Sequence, residues 1–562
     1  MAESPVSFVS TKSLNHLGLV AGTIKELGIP ERIDQLLGSE KGQATKNVKV
    51  SDCVSAMILN GLGFANQALY LVPTFLENKP VDRLINPGVT ADFFNDDALG
   101  NCLDIIAEFD PTKFFANIAF PIGMARRYRK RFARLDSTNF SLEGKYLGFG
   151  DSSEEAPQLI KITHGHSKQH RPDLKQVVLS MMNSGDAGFP HWAEALSGNA
   201  SDKKTFHETI ARVQQFQKEL GDTEPFCWVA DSALYSKEGL LKKGSSFLWI
   251  TRAPETIKEV KELICRPDAD FQWQELENGY KIAPLESRYG DVLQRWLLVF
   301  SKQAYDREVE TLNKRIKKEH EAMEKQLWHL SNEEFACSPD AEKKFREVVK
   351  KYEFHSAEFE IKSELKFGKP GRPKIGEKPD RTVIRIFSTI RQNEEAVARA
   401  RLTKGRFILA ANDLDKERLP DDQILREYKD LQKVERGFRF LKDPWFLLDK
   451  VFLKTPNRIA ALMAVMSLCL MVYTVAEYEL RQSLKQGKMT LPNQLKKEVD
   501  NPTLRWVFTL MDGISVVTMR VGVIVQTALA NLTDLREKII RLFGRFTQEI
   551  YTLAPNAEPE AI

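Results

Sequence analysis

The sequence predicts an α/β protein with a helical N-terminal region, an α/β core interrupted by a β-rich insertion, and a helical C-terminal region. Three observations predict it. Residues 1 to about 120 carry helix-length apolar patterns, and from Phe132 the period shortens to two. Charged helical sequence and further strands then separate Asp231 from the helical run that opens at Asp421.

The N-terminal helices are GLVAGTIKELGI, VSDCVSAMILNGLGF, LYLVPTFLEN and ALGNCLDIIAEF, the last capped by Asn95–Asp96. FARLDSTNFSL alternates, and KYLGFG, LKQVVLSMM, FCWVAD and SSFLWITR join it as strands of one sheet, with the helix KKTFHETIARVQQFQKEL before FCWVAD. FQWQEL, GYKIAPLES and LQRWLLVFS read as antiparallel strands. A charged helical hairpin from Ala304 to Lys351 follows, then EFEIKSELKF and TVIRIFSTI around a Gly/Pro/Lys loop, and the strand GRFILAAND. From Asp421 onward the pattern is helical.

A chain of 562 residues, 42% hydrophobic and 28% charged, has material for several domains and a large core. Its formal charge of +4 is too small at this length to indicate a nucleic-acid partner by itself. Six cysteines without a CxxC pair suit a reducing compartment and argue against a zinc knuckle. The N-terminus has no basic-then-apolar targeting pattern. Ile459 to Ala476 is uncharged and reads as a buried core helix, with a membrane span as the alternative.

Carboxylates carry the functional signal. Asp136 sits within an apolar strand and Asp231 ends one. Burial there is costly unless the charge is paired or metal-bound; a helix cap or ion pair explains either acid taken alone. Asp96, Asp97, Asp421 and Asp422 read as plain helix-capping residues. The third acid lies in YKDLQKVERGFRFLK. Read as one helix, this stretch puts Tyr428, Leu431, Glu435, Phe438 and Lys442 on a stripe roughly 80° wide. Two strand aspartates and a helix glutamate converging at a sheet edge suit two divalent cations ~3.5–4 Å apart, for in-line phosphoryl displacement. Oxygen-only ligands favour Mg²⁺, with Mn²⁺ able to substitute.

With these motifs in order, the chain resembles the DDE transposases of bacterial insertion sequences, in the branch with the signature Y-x2-R-x3-E-x6-K (the insertion-sequence-four superfamily, sixteen-thirty-four type). Tyr428, Glu435 and Lys442 match that signature, and Leu431 stands at its arginine position, where Arg426, Lys429 or Arg439 would substitute. LDSTNF, VADSALYS, GHSKQHRPDLKQ and FLKTPNRIAALMAV are similar to further segments of the group. The resemblance covers about residues 130–480.

The resemblance implies a ribonuclease-H-like core, a mixed five-stranded sheet with helices, interrupted by a β-rich insertion. The corresponding organisation is a helical DNA-binding domain at 1–125, the core at 126–254 and 401–480, the insertion with its charged hairpin at 255–400, and a helical C-terminal region at 481–562. It implies an enzyme that binds terminal inverted repeats, cleaves the ends by Mg²⁺-dependent hydrolysis and joins the 3′ ends to target DNA. Asp136, Asp231 and Glu435 would ligate metal, while Tyr428, Lys442 and Arg439 would meet a phosphate. It also implies that an aromatic of the insertion stacks on a displaced base, for which Trp296 and Trp273 are candidates beside their reading as sheet-core residues. The partners expected are double-stranded DNA and a second copy of the chain in a synaptic dimer, in a bacterial, nucleoid-associated, cytoplasmic setting with no membrane.

Basic residues extend the DNA reading. Arg126, Arg127, Arg129, Lys130, Arg131 and Arg134 crowd the approach to the Asp136 strand, as phosphate contacts or as a solvated linker. Arg372, in KPGRPK, has the form of a minor-groove hook. His164, His166 and His170 lack a sulfur or acid partner for zinc and suit DNA contact better. The alternative to an active transposase is a catalytically silent, domesticated DNA-binding protein on the same fold.

Overall fold

Alternation of apolar and polar side chains makes FARLDSTNFSL a strand, and in the computed structural model it runs Phe132–Leu142 as the first strand of the core sheet. The structure describes residues 6–64, 71–144, 158–168, 170–367, 378–443, 453, 455–521 and 524–552. The chain forms two units, one of Met1–Ile250 with Glu427–Ile562, the other of Thr251–Arg426.

In the first unit the core strands are Phe132–Leu142, Lys175–Ser184, Phe189–Ser197, Cys227–Ala230 and Leu248–Ala253, the last running into the unit boundary. Their order across the sheet is third, second, first, fourth, fifth. The first strand pairs antiparallel with the second, Asp136 opposite Met181, and parallel with the fourth, Leu135 opposite Ala230. The sheet is therefore mixed, with its first and fourth strands adjacent.

The strand Phe189–Ser197 carries no sequence expectation. Its Pro, His and Glu obscure the alternation, and it is held by an antiparallel hairpin with the second strand, closed by Gly185 and Gly188, both at positive φ. The expected strand KYLGFG (145–150) lies outside the described residues, as do parts of LYLVPTFLEN and FLKTPNRIAALMAV.

The apolar run near Ile459 forms the helix Pro456–Gln486. It packs against the helices Val50–Leu62, Asp96–Phe109 and Pro111–Ala125 and against the third strand. Neighbours on all sides explain why it is apolar all round. By length and composition it could cross a membrane, yet 83% of its most apolar window is buried in the protein.

The terminal regions are not wholly helical. Val6–Ser13 pairs antiparallel with Ser515–Val521, which pairs in turn with Ile524–Ala530. Partners some 500 residues apart give no local signal, so a helical expectation fails there.

The second unit contains the antiparallel strands Gln274–Leu276, Tyr280–Tyr289, Val292–Ser301 and Arg406–Ala411. It also holds the helices Lys302–Asn332 and Ser338–Val349 and a twelve-pair hairpin of His355–Lys366 with Arg381–Gln392. Met323, Leu327, Phe345 and Ile386 form a small core under that hairpin. Asp421 pairs with Arg295 at 3.0 Å rather than merely capping its helix.

Candidate functional site

Asp136 is the midpoint of a face of the first strand that also carries Arg134 and Thr138, because alternate residues point the same way. Its Oδ1 accepts the Ser137 amide at 2.7 Å. Burial first, and then the nearby charges of Asp231 and Asp202, push its pKa up to about 7, against the opposing pull of Lys168 and the Ser137 amide. Such an acid holds its charge at a cost and gains most from a cation.

Asp231 follows Ala230, the residue paired with Leu135 on the adjacent parallel strand, so Asp231 at its strand end comes beside Asp136 within the neighbouring strand. Neighbouring strands lie about 4.8 Å apart. Asp231 Oδ1 accepts the Ala233 amide at 2.9 Å, which turns the chain away from the strand end. Burial, followed by repulsion from Asp202, raises its pKa.

Two residues of this cluster have no sequence expectation. Asp202 opens the helix Asp202–Glu219 and reads in sequence as an ordinary first-turn acid. It accepts the Ser137 hydroxyl and lies 3.1 Å from the Lys168 ammonium. Lys168 Nζ also donates to the Ser137 carbonyl at 2.9 Å. The Lys168 amide donates to Asn139 Oδ1 at 3.1 Å, so the loop is fastened to the strand that bears Asp136. Lys168 lies in the GHSKQHRPDLKQ segment, and nothing in sequence says that this segment returns to the first strand.

The stretch 428–442 is not one helix. Asp421–Lys429 and Gln432–Leu441 are separate helices broken at Asp430–Leu431. The buried stripe of the second is Val434, Gly437, Phe438 and Leu441, while Glu435 and Arg439 are exposed. The single-helix stripe therefore misplaces Glu435. Leu431 and Phe438 are buried as expected, and Tyr428 is half-buried on the preceding helix.

Both ends of the Glu435 helix are fastened to the Asp136 strand. Arg134 Nη2 lies 2.6 Å from Glu427 and 2.9 Å from Asp430, and Asp430 in turn holds Lys433 at 2.7 Å. At the far end Lys442 Nζ donates to Thr138 Oγ1 at 2.6 Å and stands 5.5 Å from the centre of the Phe140 ring. Glu435 is thus on a helix bracketed about Asp136. Asp136 and Asp231 are brought together, but among the described residues no three His, Cys, Asp or Glu side chains stand close enough to share an ion.

The basic approach divides into solvent-facing and structural residues. Arg129, its side chain 9% exposed, pairs with Asp222 and Glu224 and stacks over Phe226. Arg134 is buried in the pairing described above. These two are engaged within the protein, contrary to the phosphate reading. Arg126 is exposed but lies 3.1 Å from Glu479. Arg131 lies over Phe132, and Arg127 and Lys130 face solvent.

Trp296 is 4% exposed with its indole N–H on Gln294 at 3.2 Å, so it is a sheet-core residue rather than a stacking platform. Trp273 is partly buried beside Phe271 and Arg406. Arg372 lies outside the described residues. His164, His166 and His170 are exposed and belong to no metal-binding group among the described residues.

Residues 9–120 match the model of a family described as a domain of unknown function, DUF4277. No curated protein matches the chain. Among solved structures the chain is similar to a piggyBac transposase synaptic complex with hairpin DNA, determined by cryo-EM. The two are 8% identical, the match covers 90% of this chain and 83% of that one, and the TM-score is 0.35.

Proposed function

We propose that this chain is a DNA transposase of the DDE type on a ribonuclease-H-like core, as its sequence motifs suggest. It would cleave the ends of an insertion sequence and join their 3′ hydroxyls to target DNA. The observation that carries the reading is the adjacency of Asp136 and Asp231 on the first and fourth strands of a sheet ordered three-two-one-four-five. The helix bearing Glu435 is fastened on both sides of Asp136.

The donor chemistry fits Mg²⁺ or Mn²⁺. Two oxygen-only side chains hold their charge against burial and mutual repulsion, and a hard cation relieves both. Asp136 and Asp231 would be the preassembled ligands, and Glu435 the third. Bound cations would stabilise the attacking and leaving oxygens of an in-line displacement. Arg439, exposed four residues after Glu435 on the same helix, would face a DNA phosphate. Lys442 would act first as a fastener of that helix. Two ends must meet in one complex, so the working species would be a homodimer on double-stranded DNA.

The test is strand transfer with pre-cut donor ends and Mg²⁺, comparing the wild type with Glu435→Gln and Asp231→Asn. Joining by the wild type and loss in both variants supports the reading; full activity of Glu435→Gln refutes the ligand set. The separation of Glu435 from the acid pair favours, as a second reading, a silent DNA-binding protein. DNA binding with no nicking in either Mg²⁺ or Mn²⁺ would select it.

A further inference from the structure

We propose that Lys168 is a substrate-binding residue of this site, whose ammonium meets the backbone phosphate beside the acid pair. The inference rests on the transposase reading above and adds a residue that the signature does not contain.

Three features make Lys168 more than a surface ion pair. Its backbone is positioned by the acid-bearing strand itself, since its amide is held by Asn139 Oδ1. Asn139 is fixed in turn by Gln176, which reaches the Gly198 carbonyl at 2.7 Å. The side chain then runs back along the strand to Ser137, the neighbour of Asp136. Finally, Ser137 joins the two groups: Asp136 Oδ1 accepts its amide at 2.7 Å and Lys168 Nζ donates to its carbonyl at 2.9 Å, so the ammonium is held beside the acid-bearing residue.

An ammonium has three donors. The Ser137 carbonyl at 2.9 Å and Asp202 at 3.1 Å take two, while the Ser137 hydroxyl at 3.4 Å is at the limit of a bond. The side chain is 42% exposed, so a DNA strand can reach it. Without DNA, Asp202 and the Ser137 carbonyl hold the ammonium. A DNA phosphate brought beside the acid pair would attract the ammonium by its own charge and take over from the single Asp202 contact. A lysine suits this role because it is a point charge on a flexible stem.

The test is the salt dependence of binding to a pre-nicked duplex, at a constant Ca²⁺ concentration, for the wild type, Lys168→Ala, Lys168→Arg and Asp202→Asn. Each phosphate contact contributes about 0.9 to the slope of log affinity against log salt. Lys168→Ala is expected to lower the slope by about 0.9, and Lys168→Arg to restore it. Asp202→Asn, which removes the resting partner and keeps the ammonium, is expected to leave the slope at the wild-type value. An unchanged slope in a folded Lys168→Ala protein overturns the inference and leaves the transposase reading standing. A wild-type protein that binds no DNA overturns both.

Discussion

Lys442 donates a 2.6 Å hydrogen bond to Thr138, so the end of the Glu435 helix is fastened two residues along the strand from Asp136. Arg134, two residues to the other side of Asp136, holds Asp430 just before that helix begins. One strand face thus fixes both ends of the element that carries the third acid. The arrangement gives Lys442 a positioning role, where the signature motif suggested a phosphate contact.

Thr138→Val keeps the shape of the side chain and removes the oxygen that accepts from Lys442. Thr138 is buried, and a hydrogen bond to a charged group is worth about 1.5–3 kcal/mol. Part of that is recovered because Lys442 is only half-buried and can turn to water. A loss of about 1 kcal/mol in urea unfolding is expected. Strand transfer should fall by more than that loss of folded protein explains; equal falls would mean that the fastening does not serve the site.

Arg134→Met should cost more. The Arg134 side chain is 3% exposed, and its removal leaves Glu427, 13% exposed, without its cation. Burial already raises the pKa of Glu427, with Arg134 opposing that rise. Breaking a buried pair from one side costs about 3–5 kcal/mol. Adding Glu427→Gln to Arg134→Met should recover part of the loss, and thermal melts of the single and double variants measure it. No recovery would place the cost in packing of the arginine stem.

Asp136→Asn should stabilise the metal-free protein above neutral pH. The folded pKa of Asp136, about 7, lies above its ordinary value of 3.8. Below that ordinary value both states are protonated and no penalty exists. As pH rises toward the folded value, the unfolded chain ionises first and stability is lost. Above it the penalty is complete, on the order of 4 kcal/mol for a shift of this size. The variant should therefore melt higher than wild type at pH 8, with the gain gone by pH 4. Mg²⁺ should raise the wild-type melting temperature and leave that of the variant nearly unchanged; equal responses would place cation binding elsewhere.

Local pattern made much of this legible. The alternation of FARLDSTNFSL and the short apolar run FCWVAD located two strands and their aspartates, and the surrounded helix at Pro456–Gln486 was readable from the uncharged run Ile459 to Ala476 within it. What escaped was non-local. Asp202 reads as a helix-start acid because its contact with Ser137 joins elements 65 residues apart. Lys168 gives no sign that its loop folds back on Asn139. The break at Asp430–Leu431 is hidden because both flanks are good helix formers, and the buried Arg134 holds Glu427 and Asp430 around it. One signal was available: Arg134, Asp136 and Thr138 recur at alternate positions of one strand, and three polar groups on one face of a buried strand imply partners above it.

Gly198→Ala tests whether the Lys168 loop is held as described. The Gly198 amide donates to Lys161 O at 2.9 Å, and its carbonyl accepts from Gln176. A β-carbon there would overlap the carbonyl oxygens of Gln176 and Thr163, both backbone atoms with no rotamer to change. Thr163 and Gln176 also bridge each other, so the loop must open for the methyl to fit. The variant should lose at least ~2 kcal/mol in urea unfolding, at the strained end of single-substitution effects. Hydrogen exchange should quicken at Gln176, whose amide donates to Thr163 at this junction, and at Lys168, whose amide is held by Asn139, itself bonded to the Gln176 side chain, while the amides of the Pro456–Gln486 helix stay protected. Uniformly faster exchange across both regions would mean that the junction opens only with global unfolding, and Lys168 would then owe its place to the whole core rather than to this local close approach.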